Sequence, residues 1–322
     1  MMQQMLVGLG AKSVGPEDVF NVTTYSGTAP SSQDIDNGID LSGEGGIIFA
    51  KRTDFGLDSL LFSTLLGTEK HLQTNSTSVL IENVSGTITS YNSNGFTLGS
   101  DSSNIINGSN HVAITIRQFE GFFDQLTYTG NGTARTISHS LNAVPEFMIV
   151  KQTGPFSESY RVYHKNPGAT KRCKLNSREA FATESCWNDT TPTSSVFSVG
   201  TNDETNRNGQ SYLIMLFASL TDFCKVGSYT GGGASNVNVD CSDVFSGSPR
   251  AVLIKNINRP STDWHFYYTI ASGNDSFYRV NEDATDSAAD HIDPHSSGFT
   301  VVANSGQDTN QGADTYMYVA FK

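Results

Sequence analysis

The sequence is short of positive charge. Of 322 residues only 20 are Lys or Arg, against 32 Asp or Glu, a net charge of −12. Binding to nucleic acid rests on clustered Lys and Arg that displace counterions from phosphate. A nucleic-acid groove is therefore excluded, and the acidic surface is read as an aid to solubility. Cysteine is scarce too. Cys173, Cys186, Cys224 and Cys241 are too few and too unevenly spaced for a disulfide framework in so long a chain, and are expected to be reduced thiols. No apolar run approaches the roughly 18 residues of a membrane span. Met1 to Gly10 is apolar but lacks a basic start and is broken by Gly8 and Gly10, which argues against a secretory leader. The expectation is a chain that folds in a cytoplasm, without membrane insertion. Lys, Glu, Ala and Leu do not gather into helical runs. Charged residues make up only 16%, and the Gly, Ser, Thr and Asn that crowd the sequence instead favour strands and turns.

Internal repetition organises the chain. An opening strand reads Val22-Thr-Thr-Tyr25-Ser-Gly27, then Leu126-Thr-Tyr128-Thr-Gly130, then Val226-Gly-Ser-Tyr229-Thr-Gly231. A second landmark is an apolar run ending in lysine: Ile47 to Lys51, Phe147 to Lys151 and Ala251 to Lys255. A third places Phe96, Phe197 and Phe299 after a polar turn, and a fourth is a closing strand at His111–Ile116, Tyr212–Phe217 and Tyr316–Phe321. All four recur in the same order at intervals of roughly a hundred residues, long enough for each copy to bury a core of its own.

The predicted fold is all-β: three tandem antiparallel β-sandwich modules behind a short N-terminal arm. The expected boundaries are an arm at 1–19 and modules at 20–122, 123–222 and 223–322. Val112, Ile114 and Ile116 alternate with Ala113, Thr115 and Arg117, which predicts a strand buried on one face. Leu213 to Phe217 is apolar throughout, as for a strand covered on both faces or at a junction. The short connections at Phe119–Asp124 and Leu220–Phe223 carry no flexible linker, so the modules are expected to form a stiff rod or a compact triplet.

Catalysis needs a nucleophile, a base and a stabilising group brought together, and each candidate has a plain alternative. Ser138-His139-Ser140 lacks the turn of a nucleophile elbow and its neighbours point to opposite faces of a strand. Asp290-His291-Ile-Asp293-Pro-His295 is the densest group of metal-ligand types, equally well read as a polar loop. Asp34 to Asp40 alternates carboxylates but lacks the closing glutamate of a Ca²⁺ loop, which favours a turn held by Asp and Asn side chains. Gly231 to Gly233 has no following helix to bind phosphate. Glu146, Glu158, Glu179 and Glu184 offer carboxylates without a visible pairing. Of the aromatics, Trp187, Trp264 and Tyr267 are candidate contacts for a glycan, although core packing is the commoner use of such residues. No catalytic residue, metal or cofactor is expected.

The stretches Thr127 to Leu141, Pro145 to Lys151, Pro192 to Gly200, Gly43 to Lys51 and Ser93 to Gly99, with the opening Met2 to Gly10, resemble a repeat family of tailed bacteriophages. That family is found in phages of marine bacteria and cyanobacteria and is labelled as tail fibre or virion structural protein. The resemblance covers the first two copies well and the third loosely. It implies a non-enzymatic virion protein assembled in the host cytoplasm: a tail fibre, fibre adaptor or receptor-binding component. The alternatives are a capsid decoration protein and a protein that binds a host surface glycan. It also implies a homo-oligomer, with a trimer as the expectation, and other virion proteins as partners. The arm would dock on them through Met1, Met2, Met5, Leu6, Val7 and Leu9, since an apolar segment without a module of its own gains stability only against a partner. The expected polarity runs outward from that arm to an exposed C-terminal module.

Overall fold

The computed structural model describes residues 13–84, 87–100 and 109–322. Among them the fold is all-β, with helix confined to a single turn at Asp203–Asn206 and two 3₁₀ turns. The opening strands Phe20–Ser26, Phe123–Thr129 and Cys224–Thr230 each pair antiparallel with a closing strand, Asn110–Arg117, Ser211–Phe217 and Thr315–Phe321. Each closing strand also pairs with a lysine strand, Gly46–Arg52, Phe147–Gln152 and Ala251–Asn256. A fourth strand follows at Leu60–Ser63, Arg161–His164 and His265–Tyr267. Even the register recurs, with Phe20 opposite Ile116, Phe123 opposite Phe217 and Cys224 opposite Phe321.

Each of these three segments adds a small second sheet over its main one. Gln33–Asp36 pairs with Gly95–Leu98, Arg135–Ser138 with Val196–Val199, and Val237–Asp240 with Gly298–Val301. Glycine is required at two of these crossings. Gly95 and Gly298 have φ of +134° and +146°, and an added Cβ would lie 1.9 Å and 2.1 Å from the carbonyl oxygens of Ile35 and Val239.

The two-residue period of a strand then decides where each side chain goes. Ile48 and Ala50, Met148 and Val150, and Val252 and Ile254 face the small sheet of their own segment and form three separate cores. Their neighbours, Ile47 and Phe49, Phe147 and Ile149, Ala251 and Leu253, point the other way and meet in one core common to all three segments. The landmark tyrosines belong to the private side, where Tyr128 stacks on Tyr212 at 5.0 Å and Tyr229 on Tyr316 at 4.9 Å.

Two expectations are corrected here. The first closing strand is buried on both faces, since Ala113 and Thr115 are as inaccessible as Val112 and Ile114. Ala113 and Thr115 lie on the small-sheet side, where Thr115 accepts from Asn37 Nδ2, while Val112, Ile114 and Ile116 enter the common core. The C-terminal segment is not an outlying tip. Phe321 sits in the common core, stacked on Phe20 at 4.5 Å and packed near Phe122, Phe217 and Phe266. Residues of all three segments meet in that one core.

The seams run in a cycle. Lys151 of the second segment donates from Nζ to the Thr77 carbonyl of the first at 3.1 Å. Trp264 of the third donates from Nε1 to the Lys174 carbonyl of the second at 3.0 Å, beside main-chain bonds from Phe181 to Ile257 and from Ser261 to Arg178. The third segment then closes on the first, with Asp286 N donating to Thr53 O at 3.1 Å and Thr74 Oγ1 to Val280 O at 2.8 Å. Each segment thus passes a loop to the next, and the last reaches back to the first.

Candidate functional site at the lysine rim

Lys51, Lys151 and Lys255 share one register position, two residues beyond Phe49, Ile149 and Leu253, and so point towards the common core. All three are completely buried. A buried ammonium needs its protons satisfied, and main-chain carbonyls provide this: Leu57 for Lys51, Glu158 and Thr77 for Lys151, Thr262 for Lys255. Tyr160 and Trp264 add ring faces at 5.3 Å from Lys151 and 5.9 Å from Lys255. Burial holds all three below the ordinary lysine range, Lys151 at about 8. A lowered lysine is the mark of amine chemistry. Here, however, each amine is enclosed and bonded to carbonyls, which fits a structural clasp at the rim of the core.

Acidic groups gather beside two of these lysines. Near Lys51, burial at the third-to-first seam raises Asp286 to about 7, with Tyr268 donating its hydroxyl to the Asp286 carboxylate. Near Lys255 lie Asp263, His265 and Asp308, whose ligand atoms fall within 4.8 Å of one another. His265 and Asp263 are buried and Asp308 is partly open. Arg178 reaches across the seam to Asp263 Oδ1 at 3.0 Å, and Asn281 Nδ2 donates to the same oxygen at 2.9 Å. An open polar groove of about 460 Å³ lies where the first segment meets the third, lined by Thr24, Tyr25, Ser26, Thr53, Asn110, His111, Tyr268, Thr269 and Ser276.

Residues 107–322 match a family described as a domain of unknown function, DUF7483. The chain belongs to the DUF7483 family. No curated protein matches it. The DUF7483 match begins just ahead of the first closing strand and takes in the second and third segments; the first opening and lysine strands precede it.

Most of the sequence candidates occupy structural positions in this DUF7483 protein. Trp187, Trp264 and Tyr267 are each wholly buried, so they present no surface on which a sugar could stack, and the expectation of glycan contact there is corrected. Trp187 fills the private core of the second segment, Tyr267 that of the third, and Trp264 the common core. Met1, Met2, Met5, Leu6, Val7 and Leu9 lie outside the described residues.

The remaining candidates are dispersed. His139 bonds the Thr193 carbonyl at 3.1 Å. The stretch from Asp290 to His295 is not a loop but leads into a strand, Ile292–His295, and its imidazoles part, His291 turning to the Tyr267 hydroxyl and His295 to Ser297. Asn37 and Asp40 accept from main-chain N–H groups two and three residues on, respectively, as in a side-chain-held turn. Glu146 pairs with Lys165, Glu158 with Arg207, and Glu179 and Glu184 with Arg172. The four cysteines are free and buried. Sequence reasoning missed the Asp263, His265 and Asp308 cluster because Asp308 lies far along the chain from the other two. The spacing of one residue between Asp263 and His265, on one face of an extended segment, was its only local signal.

Proposed function

We propose that this protein is a non-enzymatic structural component of a tailed-phage particle: a tail fibre, fibre adaptor or receptor-binding component attached through its N-terminal arm. The observation that carries the reading is the cyclic closure of three equivalent segments around one core. A single chain thereby supplies a rigid three-lobed body, a shape matched to threefold seats in symmetric assemblies, with loops free to vary at its ends. The repeat motifs that resemble phage virion proteins support it, as does the engagement of Glu146 with Lys165, Glu158 with Arg207, and Glu179 and Glu184 with Arg172.

The test is compositional and positional. Purified particles of a phage encoding the chain should contain it by mass spectrometry, and a reconstruction should place it on the tail; density on the capsid lattice would make it a decoration protein instead. A chain lacking residues 1–18 should fold and fail to join the particle, and its incorporation at normal levels would sink the docking role. A trimer of chains is the expectation from the resemblance, and light scattering on the pure protein distinguishes it from a monomer whose three lobes come from one chain.

The polar groove supports a second reading, binding of a host surface glycan. Its hydroxyl and amide lining with the Tyr268 ring has the chemistry of a sugar site and a volume in the range of ligand clefts. A glycan array on wild-type protein and Tyr268→Ala tests this, and equal signals from the two would remove the groove from consideration.

A further inference from the structure

We infer that Asp263, His265 and Asp308 form a binding site for one borderline divalent cation such as Zn²⁺, at the seam between the second and third segments. The donor set is one imidazole and two carboxylates, the mixture that suits Zn²⁺ and its neighbours.

The first argument is an unsatisfied atom. His265 is only 2% exposed, and its Nε2 has no hydrogen-bond partner. That nitrogen points at Asp308 Oδ2 across 3.9 Å, too far for a hydrogen bond. The other ring nitrogen explains why the gap persists. His265 Nδ1 lies 3.0 Å from the Tyr267 hydroxyl, which in turn lies 2.8 Å from His291 Nδ1. A single hydroxyl proton serves one of these rings. Where it goes to His291, the hydroxyl oxygen accepts from His265 Nδ1–H, and His265 Nε2 then carries a lone pair facing carboxylate oxygens. In that tautomer a nitrogen and an oxygen lone pair face one another with no proton between them, an arrangement that a cation relieves.

Geometry is compatible. An ion bonded to each donor at about 2.1 Å bridges separations up to about 4.2 Å, which accommodates the His265–Asp308 gap of 3.9 Å. The third donor lies within 4.8 Å of the others and needs to close by less than about 1 Å. The surroundings fix the ligands as outer-shell partners do. Asp308 Oδ1 accepts from Asp263 N at 2.6 Å, and Asp263 is held by Asn281, Arg178 and, at 3.5 Å, Arg279. The partly open side chain of Asp308 is the entry path. Arg178 and Arg279 hold the Asp263 carboxylate, while Asp308 Oδ1 is fixed by Asp263 N.

The experiment uses the full chain, freed of metal with a chelator and titrated with Zn²⁺ alone by calorimetry, then with Co²⁺ followed by visible absorption. One ion per chain is expected, with a Co²⁺ spectrum of nitrogen and oxygen ligation. Asp308→Asn keeps an oxygen for Asp263 N and should fold, yet weaken binding at least about tenfold, about 1.4 kcal/mol. His295→Gln, at the end of the strand Ile292–His295 and outside the cluster, should bind as wild type. Absence of saturable binding by the wild-type chain overturns the inference. So does binding that survives Asp308→Asn; its loss in His295→Gln would then place the ion at the stretch from Asp290 to His295 instead.

Discussion

Replacing Phe321 with alanine tests whether the three segments are held as one body. The ring is 3% exposed and touches every part of the chain: Phe20 opens the first segment, Phe122 precedes the second, Phe217 closes the second and Phe266 belongs to the third. Truncating a buried phenylalanine costs about 3–5 kcal/mol. The upper part of that range applies here, because sheets on three sides resist collapse and the new void merges with a small apolar hollow of about 20 Å³ already lined by Phe321. A chain of this size has an unfolding entropy that converts 1 kcal/mol into roughly 1.5 °C. The expected fall in Tm is therefore about 6–8 °C for the whole molecule, in a single calorimetric transition for wild type and variant alike. Hydrogen exchange adds the decisive detail: amides of Ile47–Lys51 and Phe147–Lys151, remote in sequence, should lose protection together with those of Ala251–Lys255. Three separable transitions, with only the last one lowered, would refute the common core as the source of cohesion.

Three further outcomes follow from buried groups. Burial holds Lys151 at about 8, below its ordinary 10.5; between those values the unfolded chain binds the proton and the folded chain does not, so stability rises with pH across that window, by up to about 3 kcal/mol. Lys151→Met should remove that rise, as urea melts at pH 7.5 and pH 10 would show. Asp286 is raised by burial from 3.8 to about 7, so its stabilising share is complete below pH 4 and lost as pH climbs through 7; Asp286→Asn should flatten the decline in Tm between pH 4 and 7. Gly95→Ala, with its Cβ 1.9 Å from the Ile35 oxygen, should cost more than about 2 kcal/mol in denaturant titrations, whereas Gly38→Ala, with φ +82° and open space around it, should cost about half of that or less.

What was legible in the sequence is whatever a strand declares by itself. Tyr25, Tyr128 and Tyr229 mark equivalent places because each ring lies beside a closing-strand partner, His111, Tyr212 or Tyr316, and that pairing fixes both residue type and interval. The apolar closing strand from Leu213 to Phe217 announced that both faces are covered. It did not say by what: Leu213 and Met215 look the same in sequence whether they meet a lid from their own segment or two other segments. The lysines were visible as landmarks, but not as buried cations, since the carbonyls of Leu57, Glu158 and Thr262 that satisfy them carry no side-chain signature. The misreading of Trp187 and Trp264 has the same origin. A large aromatic fits a sugar platform and a core equally well, and only the packing around it decides.

The loop that returns from Asp286 to Thr53 turns the repeat into a closed count. An open array gains or loses a unit at its end at little cost, because the terminal interface is simply copied. In this molecule the last interface is spent on the first segment. A fourth copy would have to break that seam and widen a core already filled by Phe20, Phe217 and Phe321, and a chain of two would leave those rings in water. Sequence drift within this architecture is constrained at the seams in matched sets, where a change in one lobe must be met by its neighbours on both sides.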